Sequence, residues 1–177
     1  HDFQQFTIYT MDSPQTTDIH NFIFFASRGA GKSWLAMAYC IAKCILFPGI
    51  VIKVASITIP QANMFLEKVY EIQKNKPNII DEIEVIRTTK DIGEIIFKNG
   101  SSIESVVCSK NARGARANIL VFDESGFMDY DIIDSVLTPF LTKTHREQPW
   151  HTDSRYKKYA LAEHSSKIFL TSIGGAE

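Results

Sequence analysis

The sequence predicts an α/β fold, with a central and mostly parallel sheet flanked by helices. Three observations lead there: apolar runs alternate with helical patterns, a glycine-rich loop joins one predicted strand to a helix, and a later apolar strand ends in adjacent acids. Phe22 to Ala26 is a continuous apolar run, the pattern of a buried strand. Lys32 to Ile45 consists of good helix formers, apolar on most sides and ended by Pro48-Gly49, which predicts a largely buried helix. Ile50 to Ala55 is β-branched and continuous enough for a second central strand. After Pro60, residues Ala62, Phe65, Leu66, Val69 and Ile72 recur at helical spacing and predict a surface helix covering the sheet. Glu94 to Lys98 and Ser101 to Val107 flank Asn99-Gly100, a dipeptide that tolerates the positive φ angles of a tight turn, so an antiparallel hairpin is expected at the sheet edge. Ile119 to Phe122 predicts a short strand delivering Asp123 and Glu124, and Ile168 to Leu170 another ending in Thr171 and Ser172. An additional strand is expected between the strand feeding the loop and the strand ending in acids.

Composition bounds what these elements can mean. A chain of 177 residues with 45% hydrophobic content suits one globular domain with a sizeable core and leaves no room for a second. The net charge of -1 gives no overall basic field, so any contact with nucleic acid must be local or shared with partners. Cys40, Cys44 and Cys108 are an odd set without CxxC spacing, which fits reduced thiols in an intracellular protein. Cys40 and Cys44 share a helix face; buried packing is the plainer reading than a pair of metal ligands. The most apolar stretch, Leu35 to Val54, is interrupted by Lys43, Pro48 and Lys53 and falls short of a membrane span, and no signal peptide is visible. His145, His151 and His164 lack the spacing of a zinc site or a nucleophilic triad. Arg155, Lys157 and Lys158 alternate with Tyr156 and Tyr159, which could serve a nucleic-acid backbone but suits a solvated face better.

The strongest local signal is Ala26-Ser27-Arg28-Gly29-Ala30-Gly31-Lys32-Ser33, placed between a strand and a helix as a phosphate-binding loop requires. Glycines let the backbone wrap closely, and successive N–H groups with the positive end of the following helix would cradle phosphates. Lys32 would reach the β and γ oxygens of ATP, and Ser33 would hold Mg²⁺. Ala26 stands where the general pattern has its first Gly. The second signal is Ile119-Leu120-Val121-Phe122-Asp123-Glu124, in which Asp123 would bind Mg²⁺ and Glu124 would orient and activate the attacking water. Together the two motifs predict a P-loop NTPase.

At these residues the chain resembles the ATPase domain of tailed-bacteriophage large terminase subunits. Ser27 to Ser33 is similar to that family's arginine-containing phosphate loop, which usually lacks the first Gly as well, and Asn111-Ala112-Arg113-Gly114-Ala115-Arg116 is similar to an Arg-Gly element ahead of the Asp-Glu strand. Phe169-Leu170-Thr171-Ser172 is similar to the family's coupling motif, whose hydroxyls sense the γ-phosphate. The resemblance implies that Gln4 or Gln5 reads adenine, that Arg28 contacts the γ-phosphate, and that Arg113 reaches the ATP of a neighbouring subunit. Surface or internal ion pairs are the alternatives for the two arginines, and solvation for the glutamines.

The expectation is therefore an ATP-hydrolysing motor domain, spanning 1–177, that drives viral DNA into procapsids. The implied partners are double-stranded DNA, a portal protein, a small terminase subunit and copies of itself in a ring, with no membrane. The implied location is the host cytoplasm, transiently at the procapsid portal. The chain reads as a fragment of a longer one without the C-terminal nuclease domain, so no nuclease activity is expected of it. A superfamily two helicase or other DNA translocase shares the same motifs. A small-molecule kinase or GTPase would need the loop but not a Glu after the metal-binding Asp, and a nucleotide-binding assembly module would need no turnover.

Overall fold

Residues 5, 9, 11, 21–27, 29–112, 115–141 and 166–172 are described by the computed structural model of the chain. They form a seven-stranded sheet of order β1-β7-β6-β2-β5-β4-β3. The strands are β1 (Asn21–Ala26), β2 (Val51–Ser56), β3 (Ile83–Thr88), β4 (Gly93–Phe97), β5 (Ser102–Val107), β6 (Ile119–Asp123) and β7 (Ser166–Ser172). The pairs β1/β7, β7/β6, β6/β2 and β2/β5 are parallel, whereas β5/β4 and β4/β3 are antiparallel. The additional strand expected between the loop strand and the acid strand is thus β7, the last in sequence among the described strands.

Parallel central strands must be covered on both faces, and β6 shows how the sequence arranges it. Alternation sends Ile119 and Val121 into one buried cluster and Leu120 and Phe122 into another. The first cluster is closed by α1 (Lys32–Leu46), which contributes Met37, Cys40, Ile41 and Cys44, and by α2 (Ile59–Leu66) and α3 (Lys68–Asn75), which contribute Phe65, Leu66, Val69 and Ile72. Cys40 and Cys44 are fully buried free thiols, and burial pushes the Cys40 thiol up to about 12. The second cluster is closed by Ile133, Leu137 and Phe140 from a run of irregular helical turns over residues 130–141. Within it Phe122 and Phe169 stack with centroids 4.7 Å apart, an arrangement worth about 1 kcal/mol beyond the area it buries.

Three details differ from the sequence expectation. The surface helix is two helices broken at Glu67, with Tyr70 N–H bonding back to the Glu67 carbonyl at 3.1 Å. The hairpin turns at Asn99-Gly100, with Gly100 at φ 82°, but its second strand lies inside the sheet against β2. The outermost strand on that side is β3, whose cross-strand pair Arg87–Glu94 closes at 2.9 Å. Among the described residues no helix is long and apolar enough to cross a membrane.

Candidate nucleotide site

The register brings the carboxyl ends of β1, β7 and β6 level, with Ala26 opposite Ser172 and Leu170 opposite Asp123. The loop leaving β1 turns tightly: Ala30 N–H reaches the Ser27 carbonyl at 3.3 Å, and Gly29 and Gly31 sit at φ 79° and 82°. A side chain would resist both conformations, which explains the two glycines. Gly31 caps α1 without a side-chain hydrogen bond, so no side chain caps the first-turn amides, the arrangement that receives an anion. Lys32 and Ser33 occupy the first turn of that helix.

Two contacts join this loop to the acids of β6. Ser33 Oγ donates to Asp123 Oδ1 at 3.3 Å, and Lys32 Nζ stands 3.8 Å from Glu124 Oε1. Burial pushes the Asp123 carboxyl above the usual carboxylate range, and the charge of Glu124 adds to it. The Ser33 hydrogen bond and the Lys32 ammonium offset only part of that rise. Hard oxygen donors meeting at a partly buried carboxylate that resists ionisation suit a small divalent cation, whose charge would favour the ionised form.

Glu124 itself has φ 55° and ψ 46°, the one non-glycine left-handed residue among the described residues. The chain then enters a tight 3₁₀ turn, Ser125–Phe127. Ser125 Oγ bonds the Thr171 hydroxyl and lies 3.4 Å from the Leu170 carbonyl. A cavity of about 830 Å³ opens beside the acids, running from Ser33, Asp123 and Glu124 to Gln61, Lys68 and Glu71 of α2 and α3.

The structure therefore gathers Ser27, Gly29, Ala30, Gly31, Lys32, Ser33, Asp123 and Glu124 at one edge of the sheet, with Thr171 beside them. Gln5 is exposed. Gln4, Arg28 and Arg113 lie outside the described residues, as do Gly114, the three histidines, the basic-aromatic run and the side chain of Ser172. Sequence reasoning missed Ser125, Gln61 and Lys68, because a hydroxyl in a turn and polar residues on a surface helix carry no motif.

No protein-family model and no curated sequence matches the chain. Solved structures do. The Thermus phage P74-26 large terminase ATPase domain superposes with a TM-score of 0.60 at 14% identity, covering 89% of this chain and 61% of its own. The large terminase of bacteriophage HK97 gives 0.65 at 14% identity over 97% of this chain and 33% of its own. The fold is that of phage large-terminase ATPase domains. A large terminase from a thermophilic bacteriophage, solved with ATP-gamma-S, shares this terminase fold with a TM-score of 0.56 at 14% identity, over 96% of this chain and 43% of that one. The chain spans about three fifths of the length of the solved terminase ATPase domain, 61%.

Proposed function

We propose that the chain is the ATP-hydrolysing domain of a motor that packages double-stranded DNA into a viral procapsid. The observation that carries this reading is the meeting of the loop with the acid pair, Ser33 on Asp123 and Lys32 on Glu124. In a P-loop site those four groups divide the work of phosphoryl transfer.

The amides of the loop and the N-terminus of α1 would bind the phosphates, and Lys32 would exchange Glu124 for the β and γ oxygens of ATP. Glu124, freed from that pair, would orient a water in line with the γ-phosphorus and accept its proton. Among the described residues no group of three or more His, Cys, Asp or Glu could hold a metal alone. Ser33 and Asp123 would therefore hold Mg²⁺ together with phosphate oxygens, the usual economy for this ion. When bound, Mg²⁺ would supply neutralisation of the charge developing on the transferred group. The solved neighbour bound to ATP-gamma-S supports nucleotide as the ligand of this fold.

In this reading Arg28 contacts the γ-phosphate, Gln4 or Gln5 reads adenine, Thr171 and Ser172 sense the γ-phosphate, and Arg113 serves the neighbouring subunit of a ring. The ring acts with a portal and a small terminase subunit. Two substitutions test the core of it: Lys32→Ala should abolish tight ATP binding, whereas Glu124→Gln should keep binding and lose turnover. Equal affinity for ATP in wild type and Lys32→Ala would sink the assignment. Stimulation of turnover by DNA in the full-length protein separates a motor from a kinase, a GTPase or a static nucleotide-binding module.

A further inference from the structure

We propose that Ser125 is a positioning residue, which ties the Thr171 hydroxyl of β7 to the turn that holds Glu124 and so transmits the state of β7 to that carboxylate. The inference deepens the proposed ATPase and rests on the reading of Glu124 as the group that orients water.

The geometry that supports it is local and redundant. Ser125 follows Glu124 directly, and its hydroxyl bonds the Thr171 hydroxyl while standing 3.4 Å from the Leu170 carbonyl. Leu170 pairs in register with Asp123 as the last pair of the β6–β7 ladder, and the clamp lies just beyond it, with Ser125 two residues past Asp123 and Thr171 one past Leu170. Two backbone bonds fold the turn over it: Phe127 N–H to the Glu124 carbonyl and Met128 N–H to the Ser125 carbonyl, both at 3.1 Å. Gly126 leaves no space for more, since a Cβ there would come within 3.1 Å of Thr171 Cγ2. The turn therefore lies flush against β7, linked to it by the Ser125 hydroxyl, which meets both the Thr171 hydroxyl and the Leu170 carbonyl.

A left-handed glutamate persists only where its surroundings over-determine it. Here Asp123 is fixed by the sheet on one side and Ser125 is fixed to β7 on the other, which leaves the Glu124 backbone little freedom. If Thr171 shifts or changes hydrogen-bond partner when a phosphate arrives, the pull reaches Glu124 through a single peptide unit. Ser125 would not touch nucleotide or water, so its removal should misplace the carboxylate without weakening binding.

The test uses the protein with ATP and a fluorescent non-hydrolysable ATP analogue. Ser125→Ala should lower kcat by about ten- to a hundredfold, the scale of a misplaced catalytic group, with KM for ATP and analogue affinity unchanged. Thr171→Val should cause a similar loss. The double variant should lose no more than the worse single one, because both remove one link. Thr171→Ser, which keeps the hydroxyl, should restore turnover relative to Thr171→Val. Hydrogen exchange supplies a readout independent of activity: the Phe127 and Met128 amides should exchange faster in Ser125→Ala than in wild type. The clamp is refuted by unchanged exchange of those amides, by losses that multiply in the double variant, or by a fall in analogue affinity at constant kcat, which would make Ser125 a binding residue. Should the wild-type chain bind the analogue yet never hydrolyse ATP, the proposed function fails, and the exchange measurement still decides the clamp.

Discussion

The left-handed backbone of Glu124 yields a prediction in which stability and activity part company. Replacing Glu124 by Gly or by Ala removes the same carboxylate and the same 3.8 Å pairing with Lys32, so the difference between the two variants isolates the backbone at φ 55°. A side-chain Cβ in that conformation costs about 1–2 kcal/mol. Glycine gives back about 0.4–1 kcal/mol of it through the larger conformational freedom of the unfolded chain. The net expectation is that Glu124→Gly is more stable than Glu124→Ala by about 1 kcal/mol, the reverse of the order found where φ is negative. For a chain of this size that difference moves Tm by roughly 2–4 °C. Urea denaturation followed by circular dichroism, without nucleotide or metal, measures it directly, and both variants should be inactive. An alanine variant as stable as the glycine variant would refute the idea that the catalytic position stores backbone strain.

Asp123 sets a pH-dependent counterpart. Its folded pKa is raised, chiefly by burial and then by Glu124, so the unfolded chain gives up this proton first and the carboxylate costs stability once pH exceeds its unfolded value. Asp123→Asn should therefore raise Tm of the nucleotide-free protein in EDTA at neutral pH, with the gain shrinking as pH falls toward the ordinary value of 3.8; a gain independent of pH would contradict the assignment. Gly93→Ala should destabilise the fold by about 1–3 kcal/mol, the cost of overpacking, because its Cβ would fall 1.7 Å from Asn63 Oδ1 and 2.4 Å from Ser105 Oγ; thermal denaturation reads this out. For the ring, mixing Arg113→Ala with Glu124→Gln subunits should give turnover above the sum of the two, since an arginine supplied in trans is worth roughly 10³ to 10⁵ in rate. Confirmed mixed assembly without that excess would return Arg113 to an internal ion pair.

The parts of this molecule legible in the sequence are those where one physical demand dominates. Strand β6 and the Ile168–Leu170 stretch of β7 are apolar runs because parallel strands inside a sheet are buried on both faces, whereas β1, expected to be buried, lies at the sheet edge with Ile23 and Phe25 60% and 66% exposed. The glycine loop announces itself because only glycine adopts φ near 80° at little cost. By contrast β3, Ile83-Glu84-Val85-Ile86-Arg87-Thr88, sits at an edge with no residue fully buried, so its β-branched residues never form a clean run. The break at Glu67 carries neither glycine nor proline, and an apolar stripe continues across it from Leu66 to Val69. The link from Ser125 to Thr171 joins residues 46 apart through two ordinary hydroxyls, and the left-handed turn at Glu124 lacks the residue types that usually signal one. Both depend on how β6 and β7 sit side by side, which local pattern does not encode.

The position of β7 also governs the order in which the molecule can be made. It is the last of the described strands to leave the ribosome, yet it is wedged between β1 and β6, and every strand on the far side of β6 precedes it in sequence. A nascent chain can thus pair β2 through β6 into a half-sheet and pack α1 on it, with Asn99 Nδ2 donating to the Cys44 carbonyl at 2.8 Å, while β1 still lacks a neighbouring strand. Without β7 a gap of two strand spacings, about 10 Å, separates the loop strand from the acid strand. Within the sheet the loop strand and the acid strand are joined through β7, by pairings of long sequence separation, which places their closure late in folding. A chain released before residue 166 would carry every catalytic group named above except Thr171 and Ser172 and still have no site to put them in.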